Sequence, residues 1–143
     1  MTTAKQATIT RMVLDDEDRD RELADHYGKA VFAYEITLRG WAEKFCPSYV
    51  GGMWRFFRLS NGGFYMSLSS KEPKLRVIDI EIDFDRFLSP FAFSIALNLY
   101  VFRYFSKVDY PQEIRDRFVA DFEKLYEYAT FQDEKADILR FLN

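Results

Sequence analysis

GGMWRFFRLSNGGFYM, residues 51–66, crowds aromatic rings between two glycine pairs. An Asn-Gly step between runs of strand-forming residues is a strong short-range signal for a β-hairpin. A type I′ turn needs positive φ at both central residues, and Asn and Gly tolerate it. A two-residue turn at Asn61-Gly62 pairs Leu59 with Phe64, Phe57 with Met66 and Arg55 with Leu68 on one face. Arg58 then opposes Tyr65, and Phe56 opposes Ser67, on the other. The first face is the more apolar and is expected to point at the core. Gly51-Gly52 precedes the first strand and is expected to form a second turn.

Downstream, LRVIDIEID (75–83) alternates Ile78, Ile80 and Ile82 with Asp79, Glu81 and Asp83, which predicts a third, half-buried strand. Upstream, ATITRMVL (7–14) is β-prone, and DDEDRDRELADHYG (15–28) reads as a helix capped by Asp15 or Asp16 and ended by Gly28. Val31, Tyr34, Leu38, Trp41 and Phe45 recur at steps of three and four, one face of a second helix that stops at Pro47. Ser89-Pro90 is an N-cap and first turn for a helix to about Phe105 that is apolar almost all round and therefore central. Pro111 opens another helix, with Ile114, Phe118, Phe122, Leu125 and Tyr126 on its buried face, and a short helix spans 133–142. The expected fold is α+β: a small antiparallel sheet, the hairpin plus at least one further strand, packed against several helices. Residues 1–143 are expected to form one domain.

Composition narrows the function classes. Apolar residues make up 48% and charged residues 30%, which is globular, and 15 Phe with 9 Tyr predict a core built around rings. A net charge of −3 is not the basic footprint of a nucleic-acid binder, and it is too small for a chain that imitates DNA over its whole surface. The lone Cys46 allows no internal disulfide and points to a reducing compartment. No apolar segment precedes the acidic run near the start, so no secretory signal is expected. The longest apolar run, residues 88–105, is interrupted by Ser94, Asn98 and Arg103 and fits a globular core better than a membrane span. The expected location is the cytoplasm.

Candidate chemistry is sparse. His26 is the only histidine, and nothing in its spacing from Cys46 suggests a nucleophile pair. No zinc spacing, phosphate loop or nucleophile elbow occurs, so no catalytic residue, metal or cofactor is expected. Asp79, Glu81, Asp83 and Asp85 form a candidate acidic surface. On one strand face such carboxylates stand about 6.6 Å apart. DNA phosphates follow at about 3.4 Å, so the row is a poor imitation of DNA. It reads best as a solvated strand face that resists edge-to-edge pairing. Arg19 and Arg21 interrupt the acids of residues 15–20, which read as a solvated helix start.

The hairpin's second face holds the candidate partner-contact residues Trp54, Phe56, Arg58 and Tyr65. Left open, they would make an aromatic-plus-Arg patch of the kind enriched at binding hot spots. Covered, they would be a second core layer, and the abundance of rings favours that reading.

YVGGMWRFFRLSNGGFYM (49–66) resembles the signature of the antirestriction protein family of the ArdB/KlcA type. The matching residues are Tyr49, Gly51, Gly52, Trp54, Phe56, Leu59, Ser60, Asn61, Gly62, Gly63, Phe64, Tyr65 and Met66, with Phe57 where the family usually has Tyr. Weaker similarity runs over roughly residues 36–140, and residues 1–30 are expected to be a variable N-terminal segment. At Pro90-Phe91 this chain departs from the family's Ala-Asp. The resemblance implies a small cytoplasmic protein of plasmids and other mobile elements that evades host defence by relieving type I restriction-modification. It implies contact with the restriction complex or an associated host factor. It implies no catalytic residue, and direct nucleic-acid or membrane contact is not expected; the alternative is a small enzyme or nucleic-acid-associated protein with unrecognised chemistry.

Overall fold

The computed structural model describes residues 8–143. The chain runs β1 (Arg11–Leu14), α1 (Asp16–Tyr27), α2 (Val31–Phe45), β2 (Trp54–Leu59), β3 (Phe64–Leu68), β4 (Leu75–Asp79), β5 (Phe84–Leu88), α3 (Pro90–Phe105), α4 (Gln112–Ala129) and α5 (Lys135–Phe141). Two antiparallel sheets result, β1-β2-β3 and the ribbon β4-β5. This is the α+β domain expected. Among the described residues no helix is long and apolar enough to cross a membrane.

Local chemistry sets the helix boundaries. Asp15 Oδ1 accepts from Asp18 N–H at 2.8 Å and caps α1, and Gly28 (φ 51°) ends it. Ser89 Oγ accepts from Ala92 N–H at 3.1 Å to cap α3, with Pro90 in its first turn. Helix α3 buries 11 of its 16 residues and forms the centre of the molecule. Around it Tyr27 stacks on Phe118 at 3.9 Å between centroids, Tyr34 on Phe102 at 5.9 Å and Phe56 on Phe64 at 4.7 Å. The buried face of α4 is Phe118, Asp121, Leu125, Tyr128 and Ala129, whereas Tyr126, expected there, is 39% exposed.

The hairpin differs from expectation by one residue. Its loop has three residues, not two: Gly62 N–H donates to Leu59 O at 3.0 Å, and Leu59 N–H donates to Gly63 O at 2.8 Å. Only Gly62 has positive φ (91°), the type I turn and bulge of three-residue hairpins and not a type I′ turn. Docking against α4 selects it. Asn61 Nδ2 donates to Lys124 O at 2.9 Å and to Glu127 Oε1 at 3.0 Å, while its Oδ1 accepts from Gly63 N–H at 3.0 Å. The register becomes Trp54↔Leu68, Phe56↔Met66, Phe57↔Tyr65 and Arg58↔Phe64. A one-residue shift exchanges faces. Trp54, Phe56, Met66 and Phe64 therefore face the helices, and Phe57 with Tyr65 lies on the other side.

LRVIDIEID is not one strand. β4 ends at Asp79, a 3₁₀ turn covers Ile80–Ile82, and Asp83 (φ 55°) turns the chain back into β5, pairing Asp79 with Phe84 and Ile78 with Asp85. Ile80 is 88% exposed at the turn. The third strand of the main sheet is β1, so the described part of the N-terminal segment is built into the fold.

Candidate functional site

The face of the main sheet turned away from the helical core carries Arg11 and Val13 from β1, Arg55 and Phe57 from β2, and Tyr65 and Ser67 from β3. The start of α3 adds Phe91, which Ser89 and Pro90 hold in place by nucleating the helix beside the sheet. The Arg11 guanidinium lies 3.8 Å from the Phe91 ring centroid and 4.9 Å from that of Phe57. Phe57 meets Phe91 edge-on at 5.8 Å and stacks on Tyr65 at 5.5 Å. Beneath them Arg11 Nη1 donates to Tyr65 Oη at 2.8 Å. Burial raises the Tyr65 hydroxyl well above its ordinary pKa, against the lowering effect of Arg11. Tyr65 therefore stays neutral and serves as an acceptor.

Phe91, 41% exposed, separates two clefts. One, of about 310 Å³, is lined by Arg11, Ile95, Tyr128 and Glu134 among others. The other, of about 570 Å³, runs between Arg55, Phe57 and Ser67 on the sheet and Lys71, Glu72 and Pro73 on the following loop. An arginine clamped between half-buried Phe57 and exposed Phe91, beside open clefts, has the composition of a protein-binding surface.

The three aromatics among the candidate partner-contact residues are covered, the alternative that the abundance of rings favours, and only Arg58 is exposed. Trp54, Phe56 and Tyr65 are 4%, 1% and 0% exposed, so they cannot form an open patch. Trp54 and Phe56 lie in the core layer, where Trp54 Nε1 donates to Tyr49 Oη at 3.2 Å. Tyr65 lies on the opposite face of the sheet, and exposed Arg58 pairs with Glu22 of α1. The shifted register is the reason for Trp54 and Phe56, whereas Tyr65 is covered on the outer face by Arg11, Phe57 and Tyr128. Arg11 and Phe91 escaped sequence reasoning because only the fold brings residue 11 to residue 91, although Phe91 stands out as a ring at the open start of an apolar helix.

The acidic row also dissolves. Asp79 is buried and accepts from Glu81 N–H at 3.1 Å, Glu81 is exposed in the 3₁₀ turn, and Asp83 forms the reversal. Asp85 takes a bidentate bond from Arg76 at 2.9 and 2.7 Å, which holds its carboxyl below the ordinary range. The four share no strand face, because a turn separates Asp79 from Asp85.

The signature residues are turn and docking chemistry. Gly51 and Gly52 do not form the second turn expected but lie in an irregular segment before β2 with φ of 93° and 150°, and Ser60 Oγ accepts from Thr10 N–H at 2.9 Å. Leu59, Phe64 and Met66 are buried. Gly63 lies so close to α4 that a Cβ there would stand 2.7 Å from Lys124 Cβ.

His26 heads an ionisable network that sequence spacing did not reveal. Its Nδ1 lies 2.9 Å from Asp121 Oδ2, which also accepts from Tyr27 Oη at 2.6 Å. Its Nε2 is 4.0 Å from Glu22, the carboxylate held by Arg58. Burial first, and Asp121 second, raise the Tyr27 hydroxyl well above its ordinary value. The network ties α1 to α4 and β2, and none of the clefts described above is lined by it. Cys46 is buried with Ser48 Oγ 3.5 Å from its sulfur, so thiol and imidazole face different neighbours. Among the described residues no three His, Cys, Asp or Glu side chains converge as a metal site.

Comparison with known proteins places this geometry in context. A family described as antirestriction protein matches residues 47–143. The antirestriction protein KlcA of Escherichia coli is 30% identical over 134 residues, 90% of this chain and 89% of the relative. The uncharacterized protein YafX of E. coli K12 is 31% identical over 110 residues, 76% of this chain and 70% of its own length. A solved structure with TM-score 0.86 and 23% identity covers 100% of both chains. It comes from work on the KlcA and ArdB proteins, described as showing a novel fold and antirestriction activity against type I DNA restriction systems in vivo but not in vitro. At that identity the likeness establishes the fold.

Proposed function

This chain belongs to the antirestriction protein family, and we propose that it relieves DNA cleavage by type I restriction-modification systems through protein interaction and not as an extended DNA mimic. Family membership is the observation that carries this reading. The partner is the restriction complex or a host factor that acts on it. A relative active in vivo but not in vitro is what such a mechanism would produce if purified reactions lack a participant.

Charge supports interaction over mimicry. The net charge is −3, Asp79 is buried, and Asp85 is neutralised by Arg76. The outer sheet face, with Arg11, Phe57 and Phe91, is the surface proposed to meet the partner.

The test is the plating efficiency of unmodified phage on a type I restricting host with and without the protein, with methylation of the surviving phage DNA read in parallel. Higher plating with methylation retained is expected. Unchanged plating would remove the function. An enzymatic reading would rest on His26, whose ring is paired with a buried carboxylate as in catalytic dyads. A stably folded His26→Gln variant is expected to keep full relief, and loss of relief would favour that reading instead.

A further inference from the structure

Resting on the reading that the outer sheet face meets a protein, we infer that the larger cleft beside Phe91 takes a short segment of the partner carrying an acidic side chain next to an apolar one. The charged residues lining the cleft are Arg55, Lys71 and Glu72, two cations against one acid in a chain whose net charge is negative. Among the described residues neither Arg55 nor Lys71 has a carboxylate within 4.0 Å. Both remain free to pair with an incoming anion.

Two further features point to the same ligand group. Ser67, on the sheet wall of the cleft, is 2% exposed, and its hydroxyl has no hydrogen-bond partner among the described residues. A buried hydroxyl without a partner is destabilising, and an acceptor on a ligand would relieve that cost. The cleft also borders the start of α3 at Ser89, Pro90 and Phe91. Proline has no N–H, so Phe91 contributes the first free amide of a 16-residue helix whose N-terminus favours negative charge.

Phe57, Leu68, Pro73 and Phe91 supply the apolar surface for a neighbouring side chain. The cleft is open to solvent, unlike the enclosed pockets that bury most of a small-molecule ligand. A peptide segment lying across the sheet fits that shape.

The test selects a phage-displayed random peptide library on the immobilised full-length chain. Enriched peptides are expected to place Asp or Glu beside an aromatic or aliphatic residue. They should bind an Arg55→Glu/Lys71→Glu variant of unchanged melting temperature at least about tenfold more weakly. No enrichment, enrichment without acids, or equal binding to the variant would overturn the inference. So would a short DNA duplex that binds the wild-type chain and not the variant, since the cleft would then be a phosphate site. The selection needs no restricting host. Acidic peptides without restriction relief would leave the cleft assigned and remove the proposed function, and relief without such peptides would do the reverse.

Discussion

Asn98, in the middle of α3, replaces a missing strand for Met66. Its Nδ2 donates to Met66 O at 2.8 Å, and its Oδ1 accepts from Met66 N–H at 3.2 Å. Its remaining valences take Ser94 O at 2.7 Å and the Tyr34 hydroxyl at 2.6 Å, so all four hydrogen-bonding positions of the amide are used. Ser94 Oγ extends the seal by accepting from Leu68 N–H at 2.9 Å. An open edge on β3 is thereby closed by a helix, one of the ways proteins protect sheet edges.

Asn98→Leu keeps the size but strands Met66 N–H, Met66 C=O and the Tyr34 hydroxyl. Each buried group costs at least about 1 kcal/mol, so the variant should lose ~3 kcal/mol or more in chemical denaturation. A loss below about 1 kcal/mol would show that the helix does not seal this edge.

The two glycines of the hairpin loop should fail for different reasons. Gly62→Val forces a β-branched residue to φ 91° and should cost roughly 1–3 kcal/mol. Gly63→Ala strains no dihedral but collides with Lys124 Cβ. Its destabilisation should shrink when combined with Lys124→Gly, and a double-mutant cycle without coupling would contradict the close approach.

Much of this could be read in advance. Asp15, Gly28, Ser89 and Pro90 marked helix ends because capping is local chemistry. Asn61-Gly62 marked a turn, but SNGG accommodates a loop of two or three residues, and the contact with α4 that decides between them is tertiary. That single residue moved Trp54 and Phe56 into the core and Phe57 out of it. Asp83 reversed a chain whose alternation looked continuous, because a non-glycine residue in the left-handed region gives little warning. Ser94 and Asn98 were visible as polar interruptions one turn apart in an apolar helix, yet their partner strand was not. The Arg11–Phe91 contact has no local signal at all.

Tyrosine ionisation should couple to unfolding. Burial raises the hydroxyls of Tyr27, Tyr34 and Tyr65 well above their ordinary value near 10. Their neutral forms are favoured in the folded state, so this stability is fully present below pH ~10. It falls as the pH rises further, where the unfolded chain ionises and the folded one does not. Absorbance at 295 nm should show some of the nine tyrosines titrating only as circular dichroism reports unfolding. Complete titration near pH 10 with native dichroism would contradict the burial.

On the proposed reading, restriction relief runs through the outer sheet face. The direct measurement is the plating efficiency of unmodified phage on a type I restricting host expressing wild type, Phe57→Ser/Phe91→Ser or Trp54→Ala, with melting temperatures measured alongside. Wild type should raise plating, and the double variant should abolish the gain while melting within a few degrees of wild type, since both rings are partly exposed. Trp54→Ala, a core deletion, should lose about 3–5 kcal/mol of stability together with activity. Wild-type expression without effect on plating would rule out restriction relief, and a stably folded double variant that plates like wild type would rule out the outer sheet face as the contact surface.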